Sequence, residues 1–364
     1  MRKELKYAVV FAGQGAQKPG MGKSLYEASP AAREVFDLAG EEIKHFCFEA
    51  DEEALKQTEV TQPAVFAMDM AAYAALREAL GLIPGENGES AKNRKNTFPA
   101  PAAVAGFSLG EYAAFAAAGV IDSLETGLSL VRKRSLLMKE AGSNPDGSQK
   151  GAMAACIGDR EGTLGLVEKA RGTGILEAVN FNSPQQIVVA GDVAAVERLV
   201  ELSQGVSGVK VKMLPVSGAF HSPIMKPAAE GLAGALEGYV FGAPSLPVYL
   251  NVTGGTFDEY RFGCDRSMPE ADCVYATPEA AVTDAKVKAI MVRQIQSPVY
   301  WQTTIEAMVA ASIEAIIEVG PGKTLTGLAK KIAPDVKALN VEDADSLAAT
   351  VAALLQQGQP GALL

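Results

Sequence analysis

Apolar residues follow two rhythms along the 364-residue chain. Apolar stretches, read as buried strands, occupy 7–11 (Tyr-Ala-Val-Val-Phe), 101–106 and 312–319, and each runs into a glycine-containing turn. Helical spacing appears at Ala64, Val65, Met68, Ala72 and Leu76, predicting a helix over 62–80. Further helices are predicted from the turn after Gly106 to Gly119, over 123–141 with Asp122 as N-cap, and from Gly322 to about 332. Between 151 and 216 the pattern changes to strands at 153–157, 176–181, 186–190 and 209–214, with helices at 160–172 and 193–204. That β-α-β-β-α-β order is the ferredoxin-like unit, here a small inserted domain over 146–214. Residues 84–99 and 256–284 are polar and breaker-rich and read as surface loops, and the tail 356–364 is expected to fray.

Composition narrows the class. Hydrophobic residues make up 48% and charged residues 21%, the mix of a globular protein with a sizeable core. The longest apolar stretches are too short to span a bilayer, and Met1-Arg2-Lys3-Glu4-Leu5-Lys6 leads into a five-residue strand, not a signal core. No membrane partner and a cytoplasmic location are expected. Cys47, Cys156, Cys264 and Cys273 form no C-x-x-C pair, and His45 and His221 are the two histidines, so no metal site is expected. Gly13-x-Gly15 lacks the third glycine of a dinucleotide loop and no Walker pattern occurs, so no cofactor is expected. A net charge of −10 argues against a nucleic-acid partner and leaves room for a small acidic partner on a local basic patch.

Gly106-Phe107-Ser108-Leu109-Gly110 is a G-x-S-x-G between an apolar strand and an Ala-rich helix. A sharp strand-to-helix turn needs small residues on both sides, exposes the serine Oγ at the strand end, and aims helix N–H groups at an oxyanion formed there. The competing reading is a glycine-rich turn whose serine caps the helix. A nucleophilic serine needs a base. His45 lies among alternating apolar neighbours, which reads as a half-buried segment; His221, in a loop after a strand, is the better candidate. The 143 residues after His221 argue against the ordinary hydrolase layout, in which the histidine comes near the end.

On the helix 123–141, Leu124, Leu128, Val131 and Met138 share one face and Arg132 and Lys133 lie opposite. Arg134 falls at the edge of the apolar face. A buried guanidinium requires an anion, either an internal Asp or Glu or a substrate carboxylate bound bidentately.

Seven stretches in order resemble one family: Phe11 to Gln17, Thr61-Gln62-Pro63-Ala64, Gly106 to Tyr112, Arg132 to Met138, Asn180 to Pro184, Gly218-Ala219-Phe220-His221 and Glu318 to Gly322. The chain resembles malonyl-CoA:acyl carrier protein transacylases and the acyltransferase domains of polyketide synthases. The resemblance implies an α/β fold: a large hydrolase-like α/β domain with a parallel-sheet core over 1–145 and 215–355, and the ferredoxin-like (βαββαβ) subdomain. It implies Ser108 as nucleophile and His221 as base, the imidazole oriented by a backbone carbonyl. Gln14 and Leu109 would form the oxyanion hole, and Arg134, Phe220, Gln62 and Asn182 would bind substrate, Phe220 leaving no room for a methyl branch. Malonyl-CoA would be a substrate, an acyl carrier protein the partner, and the enzyme a monomer. Ala12 stands where the family commonly has Pro, and Phe107 where it commonly has His. The rival readings are an acyl-thioester hydrolase and a non-catalytic carrier-protein-binding module.

Overall fold

The computed structural model describes residues 5–83, 98–216, 218–259 and 282–356. Residues 84–97 and 260–281 of the two expected loops, and 357–364 of the tail, lie outside the described residues.

The strands are β1 (Tyr7–Phe11), β2 (Ala103–Gly106), β3 (Gly151–Gly158), β4 (Leu176–Ser183), β5 (Gln186–Asp192), β6 (Val209–Met213), β7 (Val248–Tyr249), β8 (Ala315–Val319) and β9 (Lys337–Val341). They form a parallel sheet in the order β7-β2-β1-β8-β9 and an antiparallel sheet in the order β4-β5-β3-β6. β1 sits at the centre of the parallel sheet and is buried on both sides, which is why it reads as a continuous apolar run. Tyr7, Val9 and Phe11 face one core and Ala8 and Val10 the other.

Helices α1 (Lys23–Ala28), α2 (Pro30–Ala39), α3 (Glu41–Phe48) and α4 (Thr58–Ala79) lie between β1 and β2. After β2 come α5 (Gly110–Ala117) and α6 (Leu124–Gly142), while α7 (Arg160–Arg171) and α8 (Val193–Ser203) cover the antiparallel sheet. The chain continues through α9 (Lys226–Leu236), α10 (Asp284–Ile295), α11 (Trp301–Ala310), α12 (Thr324–Ile332) and α13 (Ala344–Gln356). Backbone bonds from Phe181 N–H to Val299 O (2.9 Å) and from Val299 N–H to Val179 O (2.8 Å) join β4 to the segment before α11, anchoring the antiparallel sheet beside the parallel one.

Three expectations need correction. α6 is capped by Ser123, not Asp122: Ser123 is extended and its Oγ accepts the Thr126 N–H at 3.1 Å. α4 begins at Thr58, four residues early, because Thr58, Thr61 and Gln62 are buried polar residues invisible to an apolar-spacing count. His45 is not half-buried; its segment is helix α3, and its side chain is 61% exposed beside Glu49.

Candidate active site

β2 meets α5 in a single tight turn. Ser108 takes φ 52°, a left-handed conformation that costs a non-glycine residue about 1–3 kcal/mol and persists where the surroundings impose it. The flanking glycines are required by close approach. A Cβ on Gly106 would lie 1.9 Å from the Gly110 carbonyl carbon, and one on Gly110 would lie 2.3 Å from Phe11 O.

Ser108 Oγ is 2.7 Å from His221 Nε2, and His221 Nδ1 is 2.9 Å from the Gln294 carbonyl. The carbonyl can only accept, so Nδ1 carries the proton and Nε2 accepts from the serine hydroxyl. His221 also has a left-handed backbone, φ 63°, and is 3% exposed. Burial, then the Arg134 charge, lowers its pKa to about 4, against a smaller opposing pull from the Gln294 carbonyl. The imidazole is therefore neutral at neutral pH and able to take a proton. His45, on the surface of α3, takes no part.

Arg134 lies on the buried face of α6 and not at its edge, with 1% of its surface exposed. Its Nη1 donates to Gln62 Oε1 at 2.8 Å; its Nη2 lies 3.2 Å from both Ser108 Oγ and Gln294 Oε1; its guanidinium carbon is 5.4 Å from the centre of the Tyr112 ring. Among the described residues no carboxylate reaches ion-pair distance of it. Glu111 acts on Arg134 only through space; it is buried, and burial pushes its pKa up to about 8 against the pull of the Arg134 charge. Of the two partners that the sequence left open, the internal carboxylate is not found at ion-pair distance among the described residues.

Ser108, His221 and Arg134 line a cavity of about 260 Å³ between the two sheets. Gln14 contributes to one wall, with its side chain bonded to Thr58 Oγ1 at 3.2 Å. Leu109 is fully buried at the start of α5. Neither residue's backbone N–H has a hydrogen-bond partner among the described residues. Phe220 lines the cavity beside His221, and Asn180 and Asn182 face it from β4, each with its Oδ1 unpaired among the described residues. Gln62 is absent from the lining; it supports Arg134 from behind and contacts Gln14 Oε1 at 3.4 Å. Phe107 packs edge-on against buried Trp301, ring centres 5.4 Å apart, an apolar setting that suits Phe at that position.

Two residues escaped the sequence reading. Gln294 bonds the Ser108 carbonyl through Nε2 at 2.6 Å, besides its contacts with Arg134 and His221. Asn251 accepts the Ser108 N–H through Oδ1 at 2.7 Å. The signal for Gln294 was present: it is a buried polar residue on the α10 stripe Val287, Ile290, Met291, the same anomaly that exposed Arg134.

A serine on a strained turn, hydrogen-bonded to a neutral imidazole beside two unpaired N–H groups, is equipped for acyl transfer. The family model described as an acyl transferase domain matches residues 8–363. The chain belongs to that acyl transferase family. The acyl transferase is 34% identical over 346 residues to the malonyl CoA-acyl carrier protein transacylase of Haemophilus influenzae, covering 94% of this chain and 96% of that one. Its fold is similar to that of the malonyl CoA-acyl carrier protein transacylase of Clostridium perfringens, with TM-score 0.79, 32% identity, and coverage of 96% and 98%. It is also similar to a malonyl-transacylase solved in complex with its type II PKS acyl-carrier protein, with TM-score 0.77, 33% identity, and coverage of 96% and 99%. Among the described residues the acyl transferase has no helix long and apolar enough to cross a membrane, and no group of three or more potential metal ligands.

Proposed function

We propose that the enzyme moves a malonyl group from malonyl-CoA to the phosphopantetheine thiol of an acyl carrier protein through a malonyl ester on Ser108. His221 Nε2 takes the hydroxyl proton as Oγ attacks the thioester carbon, and the Gln14 and Leu109 N–H groups hold the oxyanion. Collapse breaks the C–S bond, and the proton returns from Nε2 to the departing coenzyme A thiolate. The carrier-protein thiol then attacks the ester, giving its proton to His221, and Ser108 Oγ leaves and recovers it. Arg134 pairs with the malonyl carboxylate, Gln62 and Gln294 hold the guanidinium, and Asn182 contacts the acyl chain. Phe220 closes the space a methyl branch would need. No step calls for a cofactor or a metal.

The observation that carries the reading is Arg134, a buried cation beside Ser108 with no carboxylate partner among the described residues. Removing a charge from water without a partner costs several kcal/mol, and a substrate carboxylate offsets that cost. The relatives' names agree with this substrate and partner. The decisive experiment is intact-protein mass spectrometry with malonyl-CoA. A stable malonyl adduct that discharges onto holo carrier protein is expected; rapid loss to water would make the enzyme a hydrolase, and no adduct would leave a binding module. The reading carries with it a monomer in the cytoplasm, which light scattering and cell fractionation test.

A further inference from the structure

Asn251 follows β7, the strand that pairs with β2 through Val104↔Val248 and Ala105↔Tyr249. It is 1% exposed and does not line the cavity. All of its polar groups are engaged. Nδ2 donates to Gly106 O at 2.6 Å, Oδ1 accepts the Ser108 N–H at 2.7 Å, its N–H donates to Glu111 Oε1 at 2.6 Å, and its carbonyl accepts the Tyr300 N–H at 2.9 Å. The amide can point only one way, since a flip would set NH₂ against N–H and oxygen against carbonyl oxygen.

We infer that Asn251 is the positioning residue that holds Ser108 in its left-handed conformation, by clamping the carbonyl before Phe107 and the N–H after it with one side-chain amide. The inference rests on the acyl-Ser108 reading and adds a residue to it. Two consequences follow from the bonds. Releasing either end lets the turn relax away from φ 52° and carries Oγ off the line between His221 and the acyl carbon. The clamp also consumes the Ser108 N–H, so the oxyanion must be met by neighbouring N–H groups that lack partners, those of Gln14 and Leu109.

Asn251→Asp gives a signature that loss of packing does not. A protonated carboxyl copies the amide: its carbonyl accepts from Ser108 N–H and its O–H donates to Gly106 O. The ionised form cannot donate and opposes oxygen to oxygen. The titratable groups around it are Glu111 on α5, which keeps its proton to about 8, His221, neutral down to about 4, and Arg134 on α6, beyond Ser108. His221 stays neutral from pH 8 to pH 5, and a response of Glu111 at the upper end would show in wild type and Asn251→Ala as well, so a change confined to Asn251→Asp reports the introduced carboxyl.

The measurement is the rate constant for malonylation of Ser108 at saturating malonyl-CoA, by rapid quench and intact mass, in wild type, Asn251→Ala and Asn251→Asp. Asn251→Ala is expected to be slower by about 10²-fold, the scale of a small misplacement of a reacting atom, with half-saturation unchanged. Asn251→Asp is expected to be as slow at pH 8 and to recover at least about tenfold as the pH falls, while wild type and Asn251→Ala gain nothing. An Asn251→Ala rate equal to wild type, or an Asn251→Asp rate that shows no recovery at low pH, overturns the inference. If Asn251→Ala fails to fold, the pH response of Asn251→Asp decides alone. Failure of wild type to become malonylated at Ser108 would overturn the transfer reading instead, so the two failures are distinguishable.

Discussion

Arg134 Nη2 lies 3.2 Å from Ser108 Oγ, the same oxygen that His221 Nε2 holds at 2.7 Å. One hydroxyl thus stands between a buried cation and the base that must take its proton. The cation works against protonation of the imidazole, and burial works in the same direction.

This geometry sets the acid side of the pH profile. The imidazole is active only when neutral, so the malonylation rate is lost as pH falls through the His221 pKa. The rate should hold well below the ordinary histidine value and fall with a midpoint near 4. In Arg134→Ala the midpoint should move up, toward but short of the ordinary value near 6.5, because burial remains. The same depressed pKa bears on stability. The unfolded chain binds a proton at His221 below about 6.5 that the fold refuses until about 4, so this contribution to stability falls as pH drops through that window. Single-turnover rates against pH test the first claim; a wild-type midpoint near 6.5 would contradict it.

Ser108→Ala should form no malonyl adduct and should remain folded, since the hydroxyl makes hydrogen bonds but fills little of the core. Mass spectrometry and thermal melting check both halves. A singly malonylated Ser108→Ala protein would place the nucleophile elsewhere.

Gly106→Ala should behave in the opposite way, damaging the fold before the chemistry. The added methyl would meet Gly110 and Glu111 backbone atoms within 1.9–2.3 Å, and backbone cannot swing aside as a side chain can. Overpacking of this kind costs about 1–3 kcal/mol, occasionally more. Chemical denaturation measures it; an unchanged midpoint would mean that the turn is looser than its geometry.

The strand-to-helix turn at Ser108 and the antiparallel sheet were legible in the sequence because local pattern determines them. β3 to β6 alternate or run apolar between glycine and polar breaks, and the chain order β3-α7-β4-β5-α8-β6 is the β-α-β-β-α-β order read from them. Helices α1 to α3 were not read. They are short, and their ends are set by Gly22 and Gly40 at positive φ and by Ser29, whose Oγ accepts the Ala32 N–H. β9 and α13 were missed because β9 is an edge strand of half-buried residues with no apolar run. Asn251 and Gln294 act on Ser108 across 143 and 186 residues of chain, and no local pattern carries a contact of that length. Arg134 was found because a charge on an apolar stripe is an anomaly in itself. Its depth was underestimated because the count of apolar neighbours does not see Gln62 and Gln294, the polar residues that make full burial tolerable.

The substrate ratio of Arg134→Ala is the sharpest test of what that burial is for. With malonyl-CoA bound, the variant leaves a carboxylate in the cavity facing Gln62 and Gln294 with no cation. Truncating one member of a buried charged pair costs about 2–5 kcal/mol, which is about 30-fold to several thousand-fold in kcat/KM for malonyl-CoA. Acetyl-CoA brings no carboxylate. For it, the change removes a buried charge that no described carboxylate meets at ion-pair distance, and Ser108 and His221 keep their mutual bond. Its kcat/KM should change little or rise, so the ratio of the two substrates has to move toward acetyl. Arg134→Lys should recover part of the malonyl rate, because an ammonium supplies the charge but not the fork that reaches Gln62 and Gln294 together. Competition of the two thioesters for one enzyme, read as the mass of the acyl adduct, measures the ratio directly. A folded Arg134→Ala enzyme that loses both activities in proportion would make the arginine a scaffold for Gln62 and Gln294, and the carboxylate-binding role would fall.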